Sequence, residues 1–166
     1  MKIRNCRYLS LPSGSFQCDL TFYKQKKQEF QGYVVLLTII EINTRFAWVY
    51  PLKDKTADSI YRAMKNLTDN VNMLSISFDA GTEFSNKKVL GLFESKDIKV
   101  IVFNKKLQPN ATMIIERFNR TLRDKIALLS NTMKKNNFLS FLKSIVDGYN
   151  NTEHSTIRMS PNSARE

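Results

Sequence analysis

The sequence predicts an α/β domain built on a mixed sheet flanked by helices. Three observations carry this: three β-type runs come first, helical and strand patterns then alternate, and two long amphipathic helices close the chain. At 166 residues there is room for one domain, spanning residues 1–166, that can bury a core without staples.

Phe16 to Tyr23 alternates Phe16, Cys18, Leu20 and Phe22 against Gln17, Asp19, Thr21 and Tyr23. That period of two reads as a strand with one apolar and one polar face, and Asp19 lies mid-strand on the polar one. Tyr33 to Glu41 is a continuous β-branched and aliphatic run, as expected of a strand covered on both faces. Asn43-Thr44-Arg45 turns it into Phe46 to Leu52, so the three runs predict an antiparallel meander.

Thr56 or Asp58 caps a helix whose Ile60, Ala63, Met64 and Leu67 recur at helical spacing, ending near Asn70. Leu74, Ile76 and Phe78 alternate in a short strand broken by Asp79-Ala80-Gly81-Thr82. Lys87 to Ser95 reads as a short helix and Lys99 to Phe103 as a last strand. Asn104 to Asn110, with Pro109, continues neither and is expected to be a mobile loop. In the next helix Ile114, Ile115, Phe118, Leu122, Ile126 and Leu129 share one arc, and Glu116, Asn119, Arg120 and Arg123 the arc beside it. A final helix, Asn136 to Tyr149, carries Phe138, Phe141, Leu142, Ile145, Val146 and Tyr149 on its apolar side. Trp48 and the phenylalanine stripes are expected in the core.

A composition of 42% hydrophobic and 11% aromatic residues excludes a disordered chain. The 26 Lys and Arg against 15 Asp and Glu give a formal charge of +11, which favours a polyanionic partner without separating DNA from RNA or an anionic membrane. Cys6 and Cys18, with His154 as the one histidine, can build neither a disulfide framework nor a Cys/His zinc site, which suggests a reducing intracellular setting. His154 is expected to be a hydrogen-bonded packing residue. Tyr33 to Ile40 is too short to span a bilayer and Met1-Lys2-Ile3-Arg4 leads into no signal-peptide stretch, so a soluble chain with no membrane partner is expected.

Asp19 in a strand, Asp79 at a strand end and Glu116 one turn into a helix come from three distant segments. Strand ends are where α/β folds expose working groups. Converging there, three carboxylates suit two Mg²⁺ ions about 3.5–4 Å apart, which activate the attacking oxygen and stabilise the leaving oxygen of a phosphoryl displacement. Plainer readings stand beside this one. Glu116 pairs with Arg120 on a solvated face, Asp19 is a polar-face residue, Asp79 forms a turn, and Glu83 is the rival third carboxylate.

Cys18-Asp19-Leu20, Phe78-Asp79-Ala80-Gly81-Thr82-Glu83-Phe84 and Ile115-Glu116-Arg117-Phe118-Asn119-Arg120-Thr121-Leu122 resemble the D,D-35-E signature of retroviral-type integrase catalytic cores. Between Asp79 and Glu116 lie 36 residues, one more than the retroviral spacing. The resemblance covers roughly Ser15 to Ala164. Tyr149-Asn150-Asn151-Thr152-Glu153-His154-Ser155 with Met159-Ser160-Pro161-Asn162 is most similar to integrases of Maverick/Polinton transposons and virophages.

This resemblance implies an RNase H-like fold with a five-stranded mixed sheet, and Asp19, Asp79 and Glu116 as catalytic ligands of two Mg²⁺ or Mn²⁺ ions per active site. It implies metal-dependent 3′-end processing and strand transfer of mobile-element or viral DNA into target DNA. Asn119 would support the metal-binding aspartate. Arg120 and Arg123, where the retroviral pattern usually has lysines, would hold DNA phosphates, with Arg117 also toward DNA. A homodimer through surface beside Ile60 and Phe138 is expected, with higher oligomers in the full complex. The host nucleus is the implied place of action, with packaging in a virus particle beside it. The chain is expected to be a core fragment lacking the flanking zinc and C-terminal modules. The alternatives are a cut-and-paste DDE transposase and an inactive domesticated DNA-binding module.

Overall fold

The computed structural model describes residues 12–23, 28, 30–80, 84–104, 106–108, 110–130 and 137–166. Its elements are β1 (Ser15–Phe22), β2 (Val35–Glu41), β3 (Ala47–Leu52), α1 (Ala57–Asn70), β4 (Ser75–Asp79), α2 (Lys87–Glu94), β5 (Lys99–Phe103), α3 (Met113–Leu129), α4 (Phe138–Asn151) and a 3₁₀ turn at Ser163–Arg165. The predicted elements therefore form, within two residues at the described ends.

One five-stranded sheet runs in the order β3-β2-β1-β4-β5. β1, β2 and β3 form the antiparallel meander, with Cys18 opposite Ile39 and Ile39 opposite Trp48. β4 then adds parallel to β1, and β5 parallel to β4. This mixed sheet flanked by four helices is compatible with an RNase H-like fold.

Strand alternation sends the two faces of the sheet into different cores. Phe16, Cys18, Val35, Leu37, Ile39, Ile76 and Phe78 pack with Ile60, Met64 and Leu67 of α1 and Val89 and Phe93 of α2. Leu36, Ile40 and Ala47 pack on the other side with Ile115, Phe118, Leu122 and Ile126 of α3 and Phe138, Leu142 and Ile145 of α4. β2 is buried along its whole length, as its unbroken apolar run requires.

The helices of the first face cap themselves. Thr56 Oγ1 accepts the Ser59 N–H at 3.3 Å, which settles the cap of α1 on Thr56 rather than Asp58, and Asn86 Oδ1 accepts the Val89 N–H at 2.9 Å for α2. Neither α3 nor α4 has a cap of its own. Gln17 Oε1 in β1 accepts the Ile115 N–H at 3.0 Å, and Gln31 Oε1 accepts the Phe138 N–H at 3.0 Å. The ends of these two helices are satisfied from elsewhere in the fold.

Several expectations are corrected. The polar face of β1 meets helix α3 rather than water: Gln17 is 0% exposed. Leu74, just before β4, and Leu129, at the end of α3, are exposed. Trp48 is only partly buried, its ring meeting Phe16 and Phe46. Ile60 and Phe138 themselves are buried within the domain, and beside Phe138 the exposed Leu139 leaves apolar surface on α4. Cys18 is buried as expected, whereas Cys6 lies outside the described residues, as do Gly81, Thr82, Glu83 and Pro109. No described helix is long and apolar enough to cross a membrane.

Candidate active site

The site is built where β1 and β4 part. Their parallel ladder pairs Ser15 with Ser75, Phe16 with Ile76 and Gln17 with Ser77. Carried two residues on at the same stagger, it sets Asp19 level with Asp79. Phe16, Cys18, Ile76 and Phe78 all enter the α1/α2 core, so by alternation Asp19 and Asp79 stand together on the opposite face. Asp79 is the last residue of β4, and the Ala80 N–H that follows it returns to Phe103 O of β5 at 2.8 Å.

α3 is aimed onto this face by Gln17, two residues before Asp19. Its Nε2 donates to Ala111 O at 2.7 Å while its Oε1 caps Ile115, so a single buried amide grips both sides of the first turn. One turn along, Asn119 Nδ2 donates to Asp19 Oδ2 at 2.8 Å. Glu116 lies between these two tethers and three residues from Asn119, on the same side of the helix. Glu116 therefore precedes by three residues the side chain that meets Asp19.

No three His, Cys, Asp or Glu groups among the described residues lie close enough to hold a metal ion. Each acid rests on nearby donors. Asp19 Oδ1 accepts the Leu20 N–H, Asp79 Oδ1 accepts the Ala80 N–H at 2.9 Å, and Glu116 Oε1 accepts from the Thr112 hydroxyl at 2.8 Å. Like charges brought together repel, and donation to a carboxylate offsets that repulsion. Asn119 is 3% exposed, and its Oδ1 is buried with no hydrogen-bond partner.

The neighbouring thiol stays out of the chemistry. Burial first, and Asp19 second, push the Cys18 pKa well above its ordinary value, and its side chain points into the opposite core. The three arginines separate. Arg120 and Arg123 project about 40° and 20° to either side of Glu116, whereas Arg117 stands about 100° round the helix. Arg120 is exposed. Arg123 faces the Tyr23 phenol, whose pKa burial pushes up to about 12 against the pull of that cation.

His154 differs from its expected role. Its backbone N–H bonds Met159 O at 2.9 Å, but its ring Nδ1 is buried without a partner. Gln17, Thr112 and Arg45 are the residues sequence reasoning passed over. For Gln17 there was a signal, since it shares a strand face with Asp19 at a spacing of two.

No family model matches the chain. It is 27% identical over 137 residues, 81% of its length, to a transposon-derived protein of Caenorhabditis elegans, of which it covers 47%. It is also 29% identical over 94 residues, 53% of its length, to the transposon Ty1-PR2 Gag-Pol polyprotein of Saccharomyces cerevisiae, of which it covers 5%. The chain thus spans about half of the worm relative and a small part of the yeast one. It is related to transposon-derived proteins.

Proposed function

We propose that the chain is the catalytic core of a DDE-type integrase that joins mobile-element or viral DNA to target DNA, nearest in kind to the Maverick/Polinton and virophage enzymes. The observation that supports this reading is the stagger of the β1–β4 ladder, which if continued sets Asp19 level with Asp79, together with the Gln17 and Asn119 tethers that hold α3, the helix carrying Glu116, against β1. The transposon origin of the relatives supports it.

Three carboxylates are the hard oxygen donors that Mg²⁺ or Mn²⁺ prefers, and the partnerless Asn119 Oδ1 leaves a polar atom beside them. Asp19, Asp79 and Glu116 are the residues that would hold two such ions. Bound there, the ions would supply activation of the attacking oxygen and charge neutralisation at the leaving oxygen.

The chain's own side chains set up the rest. Asn119 fixes one oxygen of Asp19, and Thr112 holds Glu116 in place. Arg120 and Arg123 flank Glu116, where guanidinium groups can grip the DNA backbone bidentately. The reaction is proposed to hydrolyse a phosphodiester near the 3′ end of the element. The freed 3′-hydroxyl then attacks target DNA, both as in-line displacements without a covalent protein intermediate.

An oligonucleotide strand-transfer assay with Mn²⁺ tests the reading. Asp19→Asn, Asp79→Asn and Glu116→Gln are each expected to abolish joining while leaving the thermal melt intact, and Glu83→Gln to do much less. Full joining by Glu116→Gln would remove it as the third ligand, and cleavage of both strands at element ends would assign cut-and-paste transposition. The proposed homodimer is checked by light scattering at micromolar concentration.

A further inference from the structure

We propose that Arg45, Arg117 and His154 form, around the ring of Tyr149, a second site that binds a phosphate group of the DNA backbone. Arg45 sits in the β2–β3 turn with a left-handed φ of 62° and is only 8% exposed. Among the described residues its guanidinium donates one hydrogen bond, to Ile42 O of its own turn, and pairs with no carboxylate. A buried cation with five N–H donors and one acceptor is a costly arrangement unless an anion completes it.

The neighbouring acid is not that anion. Glu41 Oε1 accepts the Gly14 N–H at 3.1 Å and its Oε2 accepts from the Thr44 hydroxyl at 2.8 Å, so its oxygens are engaged elsewhere. The turn itself is fixed, because Asn150 bonds both the N–H and the C=O of Ala47 at 2.9 Å.

Tyr149 is the hub. Its ring meets Phe118, next to Arg117, edge-on at 4.7 Å, and His154 edge-on at 6.3 Å. Burial, then Arg45 and then Arg117 hold the His154 pKa below its ordinary value. Arg45 in turn feels burial, Tyr149 and Arg117, and no acid contributes to either group. Both guanidiniums thus act on an imidazole whose Nδ1 is buried without a partner, and among the described residues no acid is named against either group.

A phosphate matches this set. Its several oxygens can take both guanidinium forks and a ring N–H together, which a single carboxylate or halide does less well. Arg117 is exposed whereas Arg45 is buried, so Arg117 would be the first of the two to meet an incoming phosphate. Because Arg117 stands about 100° round α3 from Glu116, the site would give duplex DNA a second line of backbone contact away from the carboxylates. Assigning the phosphate to DNA rests on the proposed function; the anion site itself does not.

His154 is the sole histidine, so a ¹H–¹³C NMR spectrum carries one imidazole reporter. Inorganic phosphate and a short DNA duplex are titrated separately, without divalent metal. Both are expected to shift the His154 Cε1–H signal. Arg117→Ala is expected to weaken phosphate binding about tenfold, Arg117→Lys to recover part of it, and Lys65→Ala, on α1 and paired with Asp69, to leave phosphate binding unchanged. Arg45→Gln should lose the response and is read only if its melt is native; otherwise Arg117→Ala carries the test. No His154 shift with either ligand overturns the site, and equal phosphate affinity in Arg117→Ala overturns its composition. A response to phosphate but not to duplex overturns the DNA assignment. None of these outcomes depends on strand-transfer activity.

Discussion

The two faces of the sheet solve the same packing problem with different means. On the α1/α2 side the buried side chains are, Thr68 apart, apolar in α1 and α2, and each helix carries its own cap, Thr56 or Asn86, so the layer assembles from local instructions. On the α3/α4 side the helices start on glutamines supplied from elsewhere, and polar side chains thread the interface: Gln17, Asn119 and Asn150. A self-capped helix can pack in several registers, but one whose first turn is held by a fixed amide cannot. The second face gives up simple packing for position, and every acid of the candidate site lies on it.

The sharpest way to separate position from packing is to change charge without shape. Asp79→Asn is expected to lower strand joining about a thousandfold, equivalent to about 4 kcal/mol, while stability moves by no more than about 0.5 kcal/mol. On the other face Met64→Ala removes a fully buried side chain and should cost about 2–5 kcal/mol in denaturant unfolding, with the joining rate per folded molecule unchanged. A drop in that rate would break the distinction.

The caps sharpen it further. Gln17→Ala leaves Ala111 C=O and Ile115 N–H unpaired in a buried place and should cost about 2–4 kcal/mol, and joining should fall at temperatures where the variant is still folded. Thr56→Ala should cost about 1 kcal/mol and leave joining alone. Equal loss of joining in the two would show that cap origin is irrelevant.

Smaller effects follow at the surface. Arg120→Ala and Arg123→Ala should each flatten the salt dependence of duplex binding by about one unit of log–log slope, and unchanged slopes would remove them from the DNA path. Least of all is a pH effect on the α1 side. The Thr56 hydroxyl, then the Ser59 hydroxyl and the Thr56 N–H hold exposed Asp54 at a pKa of about 2, below its unfolded value. A depressed folded pKa stabilises above about pH 4, and this contribution is lost as pH falls toward 2. Solvent screening keeps it small, and Asp54→Asn should flatten that limb of an acid-unfolding curve.

What the sequence disclosed divides along the same line. The alternation in β1, the unbroken run of β2 and the Thr56 cap were readable because each is decided by residues within a few positions. Asp19, Asp79 and Glu116 were singled out by their spaced signatures; the described residues show Asn119 bonded to Asp19 but no three acids close enough to hold a metal ion. The polar side of β1 was readable only as polar, because alternation reports polarity and not burial. Gln17 is polar for the sake of a carbonyl 94 residues away, which no local window contains. The environment of Arg45 and His154 was hidden for the same reason. It exists only once the β2–β3 turn, α3 and the end of α4 meet.

The short parallel ladder between β1 and β4 also bears on how the chain reaches this state. β1 finds β2 across as few as thirteen residues, from Phe22 to Val35, but finds β4 only across sixty. Closing the longer loop costs about 1.4 kcal/mol more in chain entropy, so the meander is expected to form ahead of the rest. Until β4 arrives, the central strand is a bare edge, with its backbone N–H and C=O groups open to any passing strand. Refolding yield should therefore fall with protein concentration, through a species whose hazard is the strand that later carries Asp19.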